Sequence, residues 1–268
     1  MPEYGQCKLC LPDRPIELRQ SHYLPAAIYR VLRDEAERNP NPVMLNERGV
    51  VRTSRQMMAP LLCANCEDRL NKGGERWTLA NCIRRDGSFP LAELLASRSP
   101  DIASDTDTTT KMYFSSGIPE VDASAIRYFA ASVFWRGAIH PWDGTIPVRL
   151  GPYQEKFRRY LMGLQSFPEN SALWVVVREG KEASRLTYSP VGARQGDCHI
   201  FRFPMPGLAF VLLVGKQIPA RPRDYCFVRG QGNPIIVTSN LERLLIDEAV
   251  AMRRMSLGIA DNRLQKRH

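Results

Sequence analysis

The 268-residue sequence predicts an α+β fold, with a small cysteine-held N-terminal unit followed by a larger mixed α+β domain. Three observations predict it. Two Cys-x-x-Cys pairs, Cys7/Cys10 and Cys63/Cys66, lie in the first quarter of the chain with 52 residues (11–62) between them. The stretch Ser97–Lys111, SRSPDIASDTDTTTK, is rich in Ser, Thr and Asp and has no apolar face to bury, so it reads as a linker or exposed loop. Beyond it, helix and strand patterns are mixed, which reads as an α+β domain. The expected division is residues 1–97, a linker at 98–111, and residues 112–268.

The elements follow in order. Ile16–Ser21 alternates apolar and polar residues as a strand does. Pro25 then suits the first turn of a helix carrying Ile28, Val31, Leu32 and Ala36 at helical spacing and stopped by Asn39-Pro40. Val43–Thr53 reads as one or two short strands around Glu47-Arg48-Gly49, and Met57–Leu62 as a strand leading into the second cysteine pair. A helix begins near Cys66, breaks at Gly73-Gly74 and resumes over Glu75–Ile83.

Past the linker, Ala125–Ala138 is apolar on nearly every face, which marks a buried central helix. Tyr153–Leu164 gives a second helix with Lys156, Arg158 and Arg159 on it. Strands are expected at Ala172–Arg178, His199–Phe203, Leu208–Val214 and Ile235–Thr238, and a last amphipathic helix at Leu241–Met255.

Composition bounds the function classes. Apolar residues are 44% and charged residues 24%, which suits a folded chain. The formal charge of +9 makes a polyanionic partner reasonable, though it divides as +3 over residues 1–100 and +6 over the rest, so it is not gathered on the cysteine-bearing unit. The longest strongly apolar run, Leu208–Val214, is too short to cross a bilayer, and the first seven residues lack the apolar core of a leader, so no membrane partner and a cytoplasmic setting are expected.

Seven cysteines, an odd number, argue against a disulfide scaffold and for a reducing compartment. Two thiolates at x-x spacing converge on one ion from a tight turn, and two such knuckles complete a tetrahedral shell. Cys7, Cys10, Cys63 and Cys66 are therefore the expected ligands of a structural Zn²⁺. The alternatives are free cysteines or a redox pair, but a redox pair needs no twin and the expected βαβ context is missing.

Between the knuckles lies Leu18-Arg19-Gln20-Ser21-His22-Tyr23-Leu24-Pro25, and Leu61-Leu62-Cys63-x-x-Cys66-Glu67 closes the unit. This arrangement resembles the zinc-bearing branch of the HNH, or ββα-metal (His-Me finger), nucleases over about residues 7–72. It is also similar to a bacterial group described as HNH-like, through the Leu-Arg-x-Ser-His opening and the Cys-Glu-x-x-Leu-x-Lys-Gly-Gly-Glu run, but that group supplies no known activity. The resemblance implies a treble-clef, ββα-metal-like N-terminal unit. It also implies phosphodiester hydrolysis of nucleic acid, DNA before RNA. A histidine at the end of the first strand would be the general base, and one Mg²⁺-type cation would neutralise the scissile phosphate.

His22 matches the family's base position. Ser21 stands where the family has a metal-binding Asp, Glu67 where it has a helix His, and its middle Asn has no match before Cys63. Glu67, with Asn71 one helical turn on, could rebuild the cation site beside His22. Each has a plainer reading: His22 as a capping or packing residue, Glu67 as a favourable acid in a first helical turn, Asn71 as a helix end.

Other candidates read as structural. His140 ends the buried helix, and His199 sits in a strand pattern. Gly230-Gln231-Gly232 reads as a turn, and Trp77, Trp135, Trp142 and Trp174 as core or lining. Arg158-Arg159, Arg253-Arg254 and the basic tail could meet phosphates but are ordinarily solvated. Two functions stay open: an HNH-like endonuclease, or a non-catalytic zinc-stabilised module that binds nucleic acid or protein. Residues 112–268 could also hold an activity of their own, with the zinc unit only positioning it.

Overall fold

The computed structural model describes residues 2–33, 43–46, 49–52, 56–103, 110–143, 145, 147–179, 187–218 and 225–239. The expected helix stop at Asn39-Pro40, the helix at Leu241–Met255 and the basic tail lie outside the described residues.

The chain is mixed α+β, as the sequence predicts. Its N-terminal unit begins with β1 (Glu3–Gly5), β2 (Ile16–His22) and α1 (Ala26–Leu32). A hairpin of β3 (Val43–Asn46) and β4 (Gly49–Arg52) follows, then β5 (Met58–Leu62). Strands β1, β2 and β5 form a three-stranded antiparallel sheet in that order. Pro25 caps α1 rather than entering its first turn, because its extended ψ of 139° is the geometry a helix N-cap takes.

The second cysteine pair opens α2 (Ala64–Leu70), and here the structure departs from the sequence reading. No break occurs at Gly73-Gly74. The backbone continues through one π-helical segment, Asn71–Glu75, into α3 (Arg76–Asn81). The glycines are there for close approach. A Cβ on Gly74 would sit 2.5 Å from the backbone nitrogen of Phe129 and 2.6 Å from the carbonyl oxygen of Ala125, and one on Gly73 would sit 2.5 Å from the Tyr128 ring. A short helix not foreseen, α4 (Pro90–Ala96), has Pro at its first position, where the missing N–H costs nothing.

The remainder carries β6 (Ile102–Ala103), β7 (Thr110–Phe114), α5 (Ala123–Ile139), α6 (Tyr153–Leu161), β8 (Ser171–Arg178), β9 (Val191–Gln195), β10 (Cys198–Met205), β11 (Leu208–Gly215) and β12 (Pro234–Thr238). The strands make a seven-stranded sheet, β6-β7-β12-β8-β11-β10-β9, in which β12 and β8 are the parallel pair. The Ser/Thr/Asp-rich stretch contributes to it: Ile102 and Ala103 pair with Met112 and Lys111. Asp101 accepts from the backbone N–H of Phe114 at 2.6 Å. Residues 104–109 lie outside the described set.

Helix α5 explains its own sequence. Asp122 caps it by accepting from the Ala125 N–H at 2.8 Å. Phe129 packs edge-on to Phe210 at 5.7 Å and near Phe203, while Phe134 faces Phe201, so one side lies on β10 and β11. The other side meets Gly74 and Tyr23 of the N-terminal unit. A helix covered on both sides has no polar face to present. One buried apolar cluster consequently runs from Cys7 to Val237, with residues from both sides of the 98–111 stretch.

Candidate metal centre and the surroundings of His22

Cys7 and Cys10 lie on the turn after β1, closed by the Leu11 N–H donating to the Cys7 carbonyl at 3.0 Å. This turn is pinned to the second knuckle by the Lys8 N–H donating to the Leu61 carbonyl at 3.0 Å. Cys63 is the N-cap of α2, so its carbonyl accepts from the N–H groups of Cys66 and Glu67 and brings Cys66 back over the same point.

The four sulfurs all lie within 4.8 Å of one another, and Cys10 Sγ is 4.0 Å from Cys63 Sγ. Four sulfurs about 2.3 Å from a central ion stand roughly 3.8 Å apart, so this set needs only a small contraction to hold one. The cluster could therefore hold a metal ion such as zinc, with all four ligands the sequence names. Its electrostatics suit a cation. Cys7 is drawn well below the ordinary thiol range, first by the hydrogen bond from Cys66 and also by backbone N–H groups, including that of Cys63 at 3.4 Å. Cys66 is pushed up by the same hydrogen bond and by burial, and Cys10 by burial first. A cation is what would let more than one of the four ionise together.

The neighbouring pair Ser21 and His22 point opposite ways. In the β2–β5 pairing Ser21 faces Ala59, and both are buried; His22 faces Met58, which is 51% exposed. Side chains directly opposite each other share a sheet face, so His22 belongs to the outer face and Ser21 to the inner. The His22 ring is partly exposed and has no hydrogen bond or ion pair among the described residues.

Glu67 belongs to the inner side. Its Oε1 accepts from the Ser21 hydroxyl, and its Oε2 lies 3.8 Å from the Arg136 guanidinium. Arg136, on α5 and only 2% exposed, also pairs with Glu75 at 2.6 Å. Asn71 sits where α2 becomes π-helical, its side chain exposed. The structure thus brings the four cysteines together and joins Glu67 to Ser21, while placing His22 on the far side of the strand.

Sequence reasoning missed the ion network. The signal was present: a lone arginine inside the apolar run Ser132-Val133-Phe134-Trp135-Arg136-Gly137 must find carboxylates if it is buried. Glu67 and Glu75, eight residues apart along one helical stretch, supply them.

Other candidates settle as follows. His140 caps the C-terminus of α5 with its ring edge on Trp142, 4.8 Å between centroids, and burial lowers its pKa, with Lys8 adding to that and Asp143 opposing it. Trp135 and Trp142 are core, and Gly232 (φ +74°) lies in a turn against Phe114. His199 is exposed on β10. Arg158 donates to the Leu9 carbonyl of the first knuckle at 2.6 Å and pairs with Glu155, so it docks the cysteine unit onto α6. No helix among the described residues is long and apolar enough to cross a membrane. Comparison with protein-family models, curated proteins and solved structures finds no match for this chain.

Proposed function

We propose that the N-terminal unit is a treble-clef, ββα-metal-like module that binds nucleic acid, duplex DNA before RNA, without cleaving it. A structural Zn²⁺ would be held by Cys7, Cys10, Cys63 and Cys66. A closed four-thiolate shell leaves no position open for water or substrate, so the metal's part is to hold two knuckles together. The observation that carries the reading is the commitment of Glu67. Its two oxygens serve Ser21 and Arg136 on the inner side of β2, while His22 occupies the outer side. An acid so placed supports the fold and gives His22 no partner for hydrolysis. The net charge of +9, of which residues 1–100 carry +3, is compatible with a polyanionic partner for the chain as a whole.

A second reading is favoured by His22 itself. Its ring is partly exposed and has no partner among the described residues, which leaves it open to a water molecule, as the HNH-like endonuclease reading requires. Glu67 would then have to leave Arg136 to serve a Mg²⁺-type ion with Asn71.

One experiment separates the two. Zinc-loaded full-length protein is incubated with labelled duplex DNA, single-stranded DNA and RNA, in Mg²⁺, Mn²⁺ or EDTA, beside His22→Ala. Retention without cutting, unchanged in the variant, supports the binding module. Metal-dependent cutting lost in His22→Ala overturns it in favour of the nuclease. A result with neither retention nor cutting of any of the three nucleic acids overturns both.

A further inference from the structure

A cleft of about 210 Å³ opens between α1 and the segment that follows α3, away from the cysteine cluster. Its floor is aliphatic. Ile28 and Val31 come from α1, Leu79 and Ile83 from the α3 side, and Pro206 from the β10–β11 turn. Ile28, Ile83 and Pro206 are buried, so this floor belongs to the fixed core. Cys82 lies in it, its thiol donating to the Leu79 carbonyl at 3.2 Å.

Among the described residues the charged groups of the rim are all basic. Arg30, Arg84 and Arg85 line the cleft, all three exposed, Arg85 with a partner of its own, and no carboxylate among the described residues lines it. Arg84 is held in place, its Nε and one Nη donating to the Ala80 carbonyl at 3.0 and 2.8 Å. The nearby acid, Asp86, spends Oδ1 on the backbone N–H and hydroxyl of Ser88. Arg30 has no carboxylate within ion-pair reach among the described residues.

We infer that this cleft binds a medium-chain aliphatic carboxylate, the chain on the floor and the carboxylate against the guanidinium groups. Guanidinium forks match carboxylate geometry with two parallel N–H donors and suit an anion better than a cation or a neutral head. The described lining residues include no aromatic ring, which argues against a nucleobase, since single-stranded nucleic acid is gripped through base stacking on aromatics. The volume falls below the roughly 300 Å³ at which pockets for drug-sized ligands begin, which excludes a long chain and suits a medium one. The site is independent of the nucleic-acid reading above.

The test is titration of zinc-loaded full-length protein with octanoate, followed by ligand-observed NMR and calorimetry, beside octylamine, which has the same chain and the opposite charge. Saturable octanoate binding is expected, with octylamine failing to compete. Arg30→Glu should weaken it by roughly tenfold or more, the loss of one charge-assisted contact plus repulsion. Val31→Trp, which fills the cleft without changing charge, should abolish it, and Arg30→Glu keeps the test decisive if that variant fails to fold. Equal binding of octanoate and octylamine, no saturable octanoate binding, or octanoate binding indifferent to Arg30→Glu would overturn the inference. So would a thymidine oligonucleotide that binds saturably and is lost in Val31→Trp while octanoate does not bind.

Discussion

Ser21 donates its hydroxyl hydrogen to Glu67, and the carboxylate it meets is the one that faces the buried Arg136 of α5. With Glu75, the group holds two carboxylates against one guanidinium at a place where water does not reach the arginine, which is 2% exposed. Ion pairs of this kind contribute little beyond a hydrophobic filling, but removing one partner leaves a buried charge with nothing to answer it.

Replacing Arg136 alone should therefore be severe. Arg136→Met is expected to cost about 3–5 kcal/mol in urea unfolding, since it strands Glu67 and Glu75. The triple change Arg136→Met, Glu67→Met and Glu75→Leu should recover most of that loss. A single-variant loss below about 1 kcal/mol, the level of an exposed pair, would show that the network is solvated.

Ser21→Asp installs the acid that the HNH family carries before its histidine. Because Ser21 is fully buried and already meets Glu67, the new carboxylate would face a like charge in the interior. The expected outcome is loss of stability by about 2 kcal/mol or more and no gain of cleavage. A variant that folds as well as the parent and cuts DNA in Mg²⁺ would overturn this expectation.

Gly74→Ala tests the close approach of the π-helical segment to α5. The added methyl meets backbone atoms of Phe129 and Ala125, which cannot swing aside as a side-chain end can. Overpacking of this kind costs about 1–3 kcal/mol, enough to show as a drop of several degrees in Tm. Gly87, which has open space around its Cβ but φ +82°, should respond through backbone strain alone.

How much of this was legible depends on how far away the cause lies. The cysteine cluster was readable from spacing because each pair is local, and the Lys8–Leu61 and Cys63–Cys7 hydrogen bonds register one against the other. The identity of α5 was readable because a helix covered on both sides has to be apolar throughout. Gly73-Gly74 was misread as a break because what excludes a side chain there is α5, some fifty residues on, its Tyr128 ring at Gly73 and its backbone at Gly74, and a single sequence does not show that contact. Glu67 beside Ser21 likewise depends on Arg136, whose position opposite them only the packing of α5 decides. Strand β6 was hidden because it is only two residues, Ile102 and Ala103, too short to leave a periodic trace, and β7 because it begins at Thr110 inside the polar stretch.

His140 gives the fold a pH dependence of defined sign. Burial favours its neutral form, so its folded pKa lies below the value in the unfolded chain. The unfolded state then takes up protons more readily, and the contribution of His140 is complete above about pH 6.5 and lost as pH falls through the folded value. The ring stands edge-on to Trp142, which stacks on Tyr23 at 4.8 Å, so a charged imidazole would disturb the seam between α5 and the N-terminal unit. His140→Gln should match the parent's pH slope above 7 and lose stability less steeply below 6.5. Identical slopes from pH 7.5 to 5 would remove His140 from the account.

Metal removal should reach well past the cysteines. Arg158 joins the first knuckle to α6, and Arg136 joins α2 to α5, so the cluster and the central helix share their supports. Elemental analysis should find about one zinc per chain, the stoichiometry of a single four-thiolate site. Stripping it with a strong chelator, or substituting Cys66→Ser, should lower Tm in a single transition seen alike by far-UV circular dichroism and by the fluorescence of the buried Trp135 and Trp142. Re-addition of zinc should restore the parent curve for the stripped protein and not for Cys66→Ser. If the stripped chain instead lost only local helical signal while the buried tryptophans kept their native emission, the cysteine unit would be an appendage and its coupling to α5 would be refuted.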